Sequence, residues 1–281
     1  MVSFCMNEMT TFRWSFEEDV QNYAAAGIRA ISVWRPKLSD YGEEKGIELL
    51  RDTGLKVASL FWAGGFTGSD GRTYRESVND AKDAVRAAGA LRADCLVLYS
   101  GARGGHTTNH AKRLLRNAIH ELLPLANEFG VTLAIKPMHA GCAAEWTFLT
   151  NIDDTVGLIQ EFDVPRLRMA FDTYHLGFDP AVMDRIDEFL PKIAIVQLGD
   201  SRTIPNGEQN RCRLGEGVLP LAGLVNALES AGYDGYCDVE LMGEEIENSD
   251  YRELLKHSKA TFDGWRALER RLGFGPERSS K

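Results

Sequence analysis

Four short apolar runs in this chain end in side chains that can do chemistry. Residues 167–171 lead into Asp172, with His175 three positions on, and residues 131–135 lead into Lys136 and His139. Residues 193–196 lead into Gln197 and Asp200, and residues 236–239 into Glu240. An apolar strand that stops at a carboxylate, an imidazole or an amide is how α/β enzymes arm the rim of a sheet. Asp172, Gln197 and Glu240 are oxygen donors, and such sets hold hard cations such as Mn²⁺ or Mg²⁺, with water and substrate completing the shell. An ion held there is chelated by the vicinal carbonyl and hydroxyl oxygens of a sugar and stabilises an enediolate as a proton moves. A carboxylate beside it, such as Glu240, serves as general base. The bland alternative is a satisfied polar cluster that closes the mouth of the fold.

For these groups to meet, their runs must be neighbouring strands. The chain alternates strand-like and helix-like segments eight times, with strands expected at 2–6, 30–33, 56–61, 94–99, 131–135, 167–172, 192–198 and 236–241. Continuously apolar strands are expected when both faces are buried, so the pattern predicts a single (β/α)₈ TIM barrel over 1–272, with a flexible tail at 273–281. Local signals place the helices. Ser15 offers an N-cap ahead of Glu17, Glu18 and Asp19, and Gly27 stops that helix. Asp40 is expected to open the next one, with Glu43 at capping-box spacing and Gly54 at its end. Gly130 closes a helix over 109–129, and Pro180 is expected to start another. The barrel rule then brings Trp34, Trp62 and Tyr99 to the same rim as an apolar wall for a sugar ring, beside His139 and Asp200 as substrate contacts.

Composition narrows the partners. A net charge of −9 argues against nucleic acid, whose backbone needs clustered Lys and Arg. No apolar run reaches the about 18 residues of a membrane span, and no signal peptide is apparent. The five cysteines form no C-x-x-C pair, which suits a reduced, cytoplasmic protein.

At residues 171–175 (Phe-Asp-Thr-Tyr-His), 214–220 (Leu-Gly-Glu-Gly-Val-Leu-Pro) and 235–240 (Gly-Tyr-Cys-Asp-Val-Glu), the chain resembles the xylose-isomerase-like TIM barrels. This group comprises sugar-phosphate isomerases, epimerases and related dehydratases, and shares its fold with endonuclease IV. The resemblance runs from Val2 to about Leu268. It implies one divalent metal, Mn²⁺ or Mg²⁺, held by Glu, Asp, His and Glu on strands five to eight, the two glutamates shuttling protons. Carried over, Asp172 and Glu240 match, His175 looks like the substrate-contacting histidine, and Arg211 and Arg213 look like substrate-loop residues. Two positions depart from the pattern: Gln197 stands in place of His, and Lys136 in place of the strand-five Glu.

The resemblance therefore implies a sugar or polyol isomerase or epimerase, with Glu240, His175 and the Lys136 position as its catalytic set, impaired by Lys136. A lysine held protonated by neighbouring carboxylates has no lone pair for a metal. Three accounts of it stand open: a disabled metal site, a built-in cation replacing the metal, or a side chain turned away to leave three ligands. Two other functions also stand open. One is a lyase on the same scaffold, dehydrating its substrate or cleaving 3-oxo-sugar conjugates with a small partner subunit; the other is a non-catalytic sugar-binding barrel. A homodimer is the assembly the resemblance suggests.

Overall fold

In the computed structural model, which describes residues 1–272, the eight apolar runs are parallel strands closed into one barrel in the order β1 to β8. They are β1 Ser3–Asn7, β2 Ala30–Trp34, β3 Lys56–Gly64 and β4 Cys95–Tyr99. The second half supplies β5 Thr132–Ile135, β6 Leu167–Asp172, β7 Ile193–Leu198 and β8 Tyr236–Val239. Closure comes from β1 on β8, through Ser3↔Tyr236 to Met6↔Val239. The expected tail at 273–281 lies outside the described residues.

Side chains alternate along each strand between two cores. In β4, Leu96 and Leu98 join the large cluster beneath the helices, whereas Cys95, Val97 and Tyr99 join an inner cluster with Cys5, Ala30, Ala58, Ala134 and Ala170. That inner cluster is the barrel interior. The same period of two sets the working face, because Ala134, Ala170 and Ile195 point inward and so Lys136, Asp172 and Gln197 do as well. β3 runs three residues past its expected end at 61. Gly64 has φ +130, and a Cβ there would lie 1.9 Å from the Tyr99 carbonyl oxygen, so only glycine lets β3 continue against β4.

The helix signals fare unevenly. Ser15 caps Phe16–Ala25 in a reciprocal box with Glu18, and left-handed Gly54 and Gly130 end Glu43–Thr53 and Thr108–Phe129. Asp40 opens nothing. A helix starts directly at the end of β2, Arg35–Tyr41 with Pro36 in its first turn, and breaks at Gly42 before Glu43–Thr53. Proline fixes the first turn early, and Gly42, at φ 102, supplies the break. Nor does Pro180 start a helix; only the short Ile186–Phe189 forms downstream. Asp179 Oδ1 accepts from Ala181 N at 2.9 Å, a turn that competes with helix initiation there. No helix among the described residues is long and apolar enough to cross a membrane.

Candidate active site

Lys136 and Glu240 stand one residue beyond β5 and β8, yet the ladders still fix their backbones: Lys136 N donates to Leu98 O at 2.9 Å and Glu240 N to Leu198 O at 3.0 Å. Both side chains therefore enter the barrel mouth. Lys136 Nζ lies 2.8 Å from Asp172 Oδ2 and donates to Glu240 Oε1 at 2.8 Å and Oε2 at 3.1 Å. It also sits 5.3 Å from the Phe61 ring centre and 5.9 Å from that of Tyr99. Lys136 does not turn away, so a site left with three free ligands is not what this sequence folds into. Burial opposes its charge, but Asp172 and Glu240 override burial and hold the ammonium protonated, its pKa raised.

A second cation completes the cluster. Arg211 grips Asp172 with Nη1–Oδ1 at 3.2 Å and Nη2–Oδ2 at 2.9 Å, and donates to Glu240 Oε1 at 3.2 Å and Glu240 O at 2.9 Å. Its guanidinium lies 4.5 Å from the Tyr174 ring centre. Burial alone would push Asp172 up, but Arg211 and Lys136 bring it well below the usual carboxylate range. Gln197 donates Nε2 to Glu240 Oε2, and its Oε1 is a buried acceptor with no protein partner. His175 is buried with both ring nitrogens unpartnered, its Nε2 3.9 Å from Asp172 Oδ2. Burial keeps the imidazole well below its ordinary pKa and neutral.

The remaining expected site residues divide. Asp200 does not face this cluster: its carboxylate accepts Ser201, Gly215 and Gly217 backbone N–H groups at 2.8, 2.9 and 3.0 Å. Arg213 leans on Ser249 Oγ at 3.4 Å, whereas Arg211, two positions earlier, is buried among the carboxylates. Trp62 and Tyr99 line a cavity of about 870 Å³ together with Trp146 and Phe148. The Trp62, Tyr99 and Trp146 rings lie 5.4 to 5.6 Å apart, and no charged member of the cluster lines the cavity. Trp34 packs on Phe12 in an adjoining groove that shares Trp62 and Trp146. His139 Nδ1 accepts from Gly141 N at 3.1 Å. Trp146 and Tyr174 join the site without having been among its expected residues. Tyr174 lies inside the 171–175 motif and could have been found there, whereas nothing around Trp146 distinguished it.

A divalent ion does not fit the residues as they stand. The cluster holds two cations, Lys136 and Arg211, against two carboxylates, Asp172 and Glu240, so no net negative charge remains to hold it. Among the described residues no group of three or more His, Cys, Asp or Glu side chains is placed to bind a metal. Gln197 Oε1 and one nitrogen of the neutral His175 ring are the donors left over, and two neutral donors beside a cluster with no net charge hold a dication weakly.

Comparison with known proteins gives the same architecture. A family model described as xylose isomerase-like TIM barrel matches residues 20–261. A putative hydroxypyruvate isomerase of Streptomyces coelicolor is 24% identical over 77% of this chain and 82% of its own. The D-psicose 3-epimerase of Enterocloster bolteae is 24% identical over 79% of this chain and 72% of its own. The solved IOLI protein with a bound zinc atom superposes with a TM-score of 0.83 at 18% identity, over 95% of this chain and 99% of that one.

Proposed function

The chain belongs to the xylose isomerase-like TIM barrel family, and on that premise we propose that it is a sugar isomerase or epimerase type of barrel whose chemistry Lys136 holds at a low level. The reaction is transfer of a proton beside the carbonyl of a small, polyol-like substrate. Glu240 occupies the place of the general base and His175 that of a neutral donor to substrate oxygen, with Asp172 fixing the cations. The observation that carries this reading is the Lys136 ammonium, 2.8 Å from both Asp172 and Glu240, where the family's pattern calls for an acid. A carboxylate that accepts from Lys136, Gln197 and Arg211 at once has few lone pairs left for a carbon-bound proton.

Lys136→Glu tests it. The substitution turns two cations and two carboxylates into one cation and three carboxylates, taking the cluster from neutral to −2. After dialysis against Mn²⁺, elemental analysis is expected to find metal in Lys136→Glu and none in the unsubstituted protein. Turnover of free ketoses is expected to rise at least about tenfold in the variant. A variant that gains neither metal nor turnover removes the disabled-site account and leaves a sugar-binding barrel.

The aromatic cavity favours one second reading, a lyase acting on a bulkier sugar conjugate. A volume of about 870 Å³ walled by Trp62, Tyr99 and Trp146 accommodates far more than one sugar ring. Turnover of oxidised aryl glycosides, but not free ketoses, by Lys136→Glu would replace the first reading with this one.

A further inference from the structure

Lys136, Asp172, Gln197 and Glu240 reach the cluster from strand ends, but Arg211 comes from the long connection after β7, so something must hold that connection in place. Asp200 sits at its root. Its carbonyl oxygen accepts Cys212 N at 3.0 Å, pairing the residue next to Arg211 with the end of β7. Its carboxylate gathers the far end, through Gly215 N and Gly217 N, while also holding Ser201 N. The fit leaves no slack, because a Cβ on Gly217 would lie 2.0 Å from Asp200 Oδ1. Both ends of residues 201–217 are thus tied to one buried carboxylate, and Arg211 projects from between them.

The segment just before Arg211 covers the cluster. Gln209 Oε1 accepts from Arg211 Nη2 at 3.0 Å, Asn210 N donates to the Tyr174 hydroxyl at 3.1 Å, and Gly207 N donates to Gly141 O at 2.7 Å. Beneath it lies the Cys142 thiol, 4.0 Å from Glu208 O. We propose that Asp200 is a positioning residue that holds Arg211 in the cluster, and through Arg211 keeps residues 203–210 closed over Asp172 and Glu240. The buried carboxylate at the root and the ion pairs at the tip form one mechanical unit, so loss of either frees the same segment.

Cys142 is a built-in reporter of that opening, and Cys5, Cys95 and Cys237, in the barrel strands, are references for global unfolding. Maleimide labelling of the full chain, read site by site by mass spectrometry, is the experiment. Asp200→Ala is expected to speed labelling of Cys142 about tenfold or more, and Asp200→Asn, which keeps one acceptor oxygen, about threefold, with the three references silent. Arg211→Met should give the same rise as Asp200→Ala, and the double variant should stay within about twofold of either single one. Cys142 as slow in both Asp200 variants as in the unsubstituted chain overturns the proposal. So does an Asp200→Ala effect that multiplies fully on top of Arg211→Met. Should all five thiols of Asp200→Ala react together, Asp200→Asn decides the matter by the same criterion. The proposal takes the cluster for the working site, but its readout is thiol protection. Failure of Lys136→Glu to gain turnover therefore leaves it standing, and a null labelling result leaves the isomerase reading standing.

Discussion

Lys136 and Lys37 are both buried beside two carboxylates, yet Asp172 beside the one is shifted in the opposite direction from Asp19 and Glu8 beside the other. Lys37 Nζ lies 2.6 Å from Asp19 Oδ2 and donates to the backbone oxygens of Glu8 and Thr11 at 3.2 and 2.9 Å. Glu8 is close by, its Oε2 accepting from Trp34 N at 2.6 Å and its Oε1 unpartnered. There burial outweighs Lys37, so that Asp19 is pushed up to about 6 and Glu8 well above its ordinary value. In the Lys136 cluster burial pushes the same way, yet Asp172 is held far down by Arg211 and Lys136 together. Burial is common to both clusters. One cation does not override it at Asp19 or Glu8, and two cations do at Asp172.

Arg211→Met tests this most severely, because it gives the Lys136 cluster the stoichiometry of the Lys37 cluster. Removing one partner from a buried ion network is expected to cost about 3–5 kcal/mol at pH 7.5, measured by urea unfolding. The pH dependence should change as well. A depressed carboxylate such as Asp172 contributes stability above its unfolded pKa of 3.8, and loses it as pH falls toward the lower folded value. In Arg211→Met that acid-side loss should disappear, and stability should rise on acidification as it does around Asp19. If the loss below pH 4 persists unchanged, the cation count is not what separates the two clusters.

Lys37→Met should cost less, about 2–3 kcal/mol at pH 7.5, because its carboxylates take up a proton more readily than Asp172 does. Most of the loss should be recovered at pH 5, as Asp19 and Glu8 protonate. Equal loss at both pH values would show that Lys37 acts through its backbone contacts alone. Asp19→Asn is the smallest expected change. The folded pKa of Asp19 lies near 6, above its unfolded 3.8, so its contribution favours folding below pH 4 and is lost as pH rises through 6. Asparagine cannot titrate, so the stability slope between pH 4 and 6 should flatten by up to about 1.4 kcal/mol per pH unit. An unchanged slope would assign the proton to Glu8.

The barrel was legible because its signals are local. Strand positions followed from runs that must be apolar when both faces are covered, and Ser15, Gly54 and Gly130 acted at the residues where they stand. Asp40 and Pro180 misled for a related reason. Their capping and starting signals were real in type, but Pro36 and the Asp179 turn acted on the same backbone first. The candidate site was legible only as far as strand ends reached. Arg211 and Arg213 are alike on paper and two positions apart, and only the folded segment separates them: Arg211, its N–H on Met242 O and Cys212 N on Asp200 O, enters the barrel, whereas Arg213 reaches Ser249. Asp200 itself was expected to meet substrate; an aspartate reads the same whether its oxygens face a ligand or three backbone N–H groups.

By itself, the sequence determined a closed parallel barrel with Asp172, Lys136, Gln197 and Glu240 at one rim, because strand periodicity fixes which way consecutive side chains point. Tertiary structure alone decided that the Lys136 ammonium pairs with both Asp172 and Glu240, that Arg211 joins it and that the cluster closes neutral. Charges 39 and 104 positions apart in the chain lower one another's energy only when folding removes the water between them.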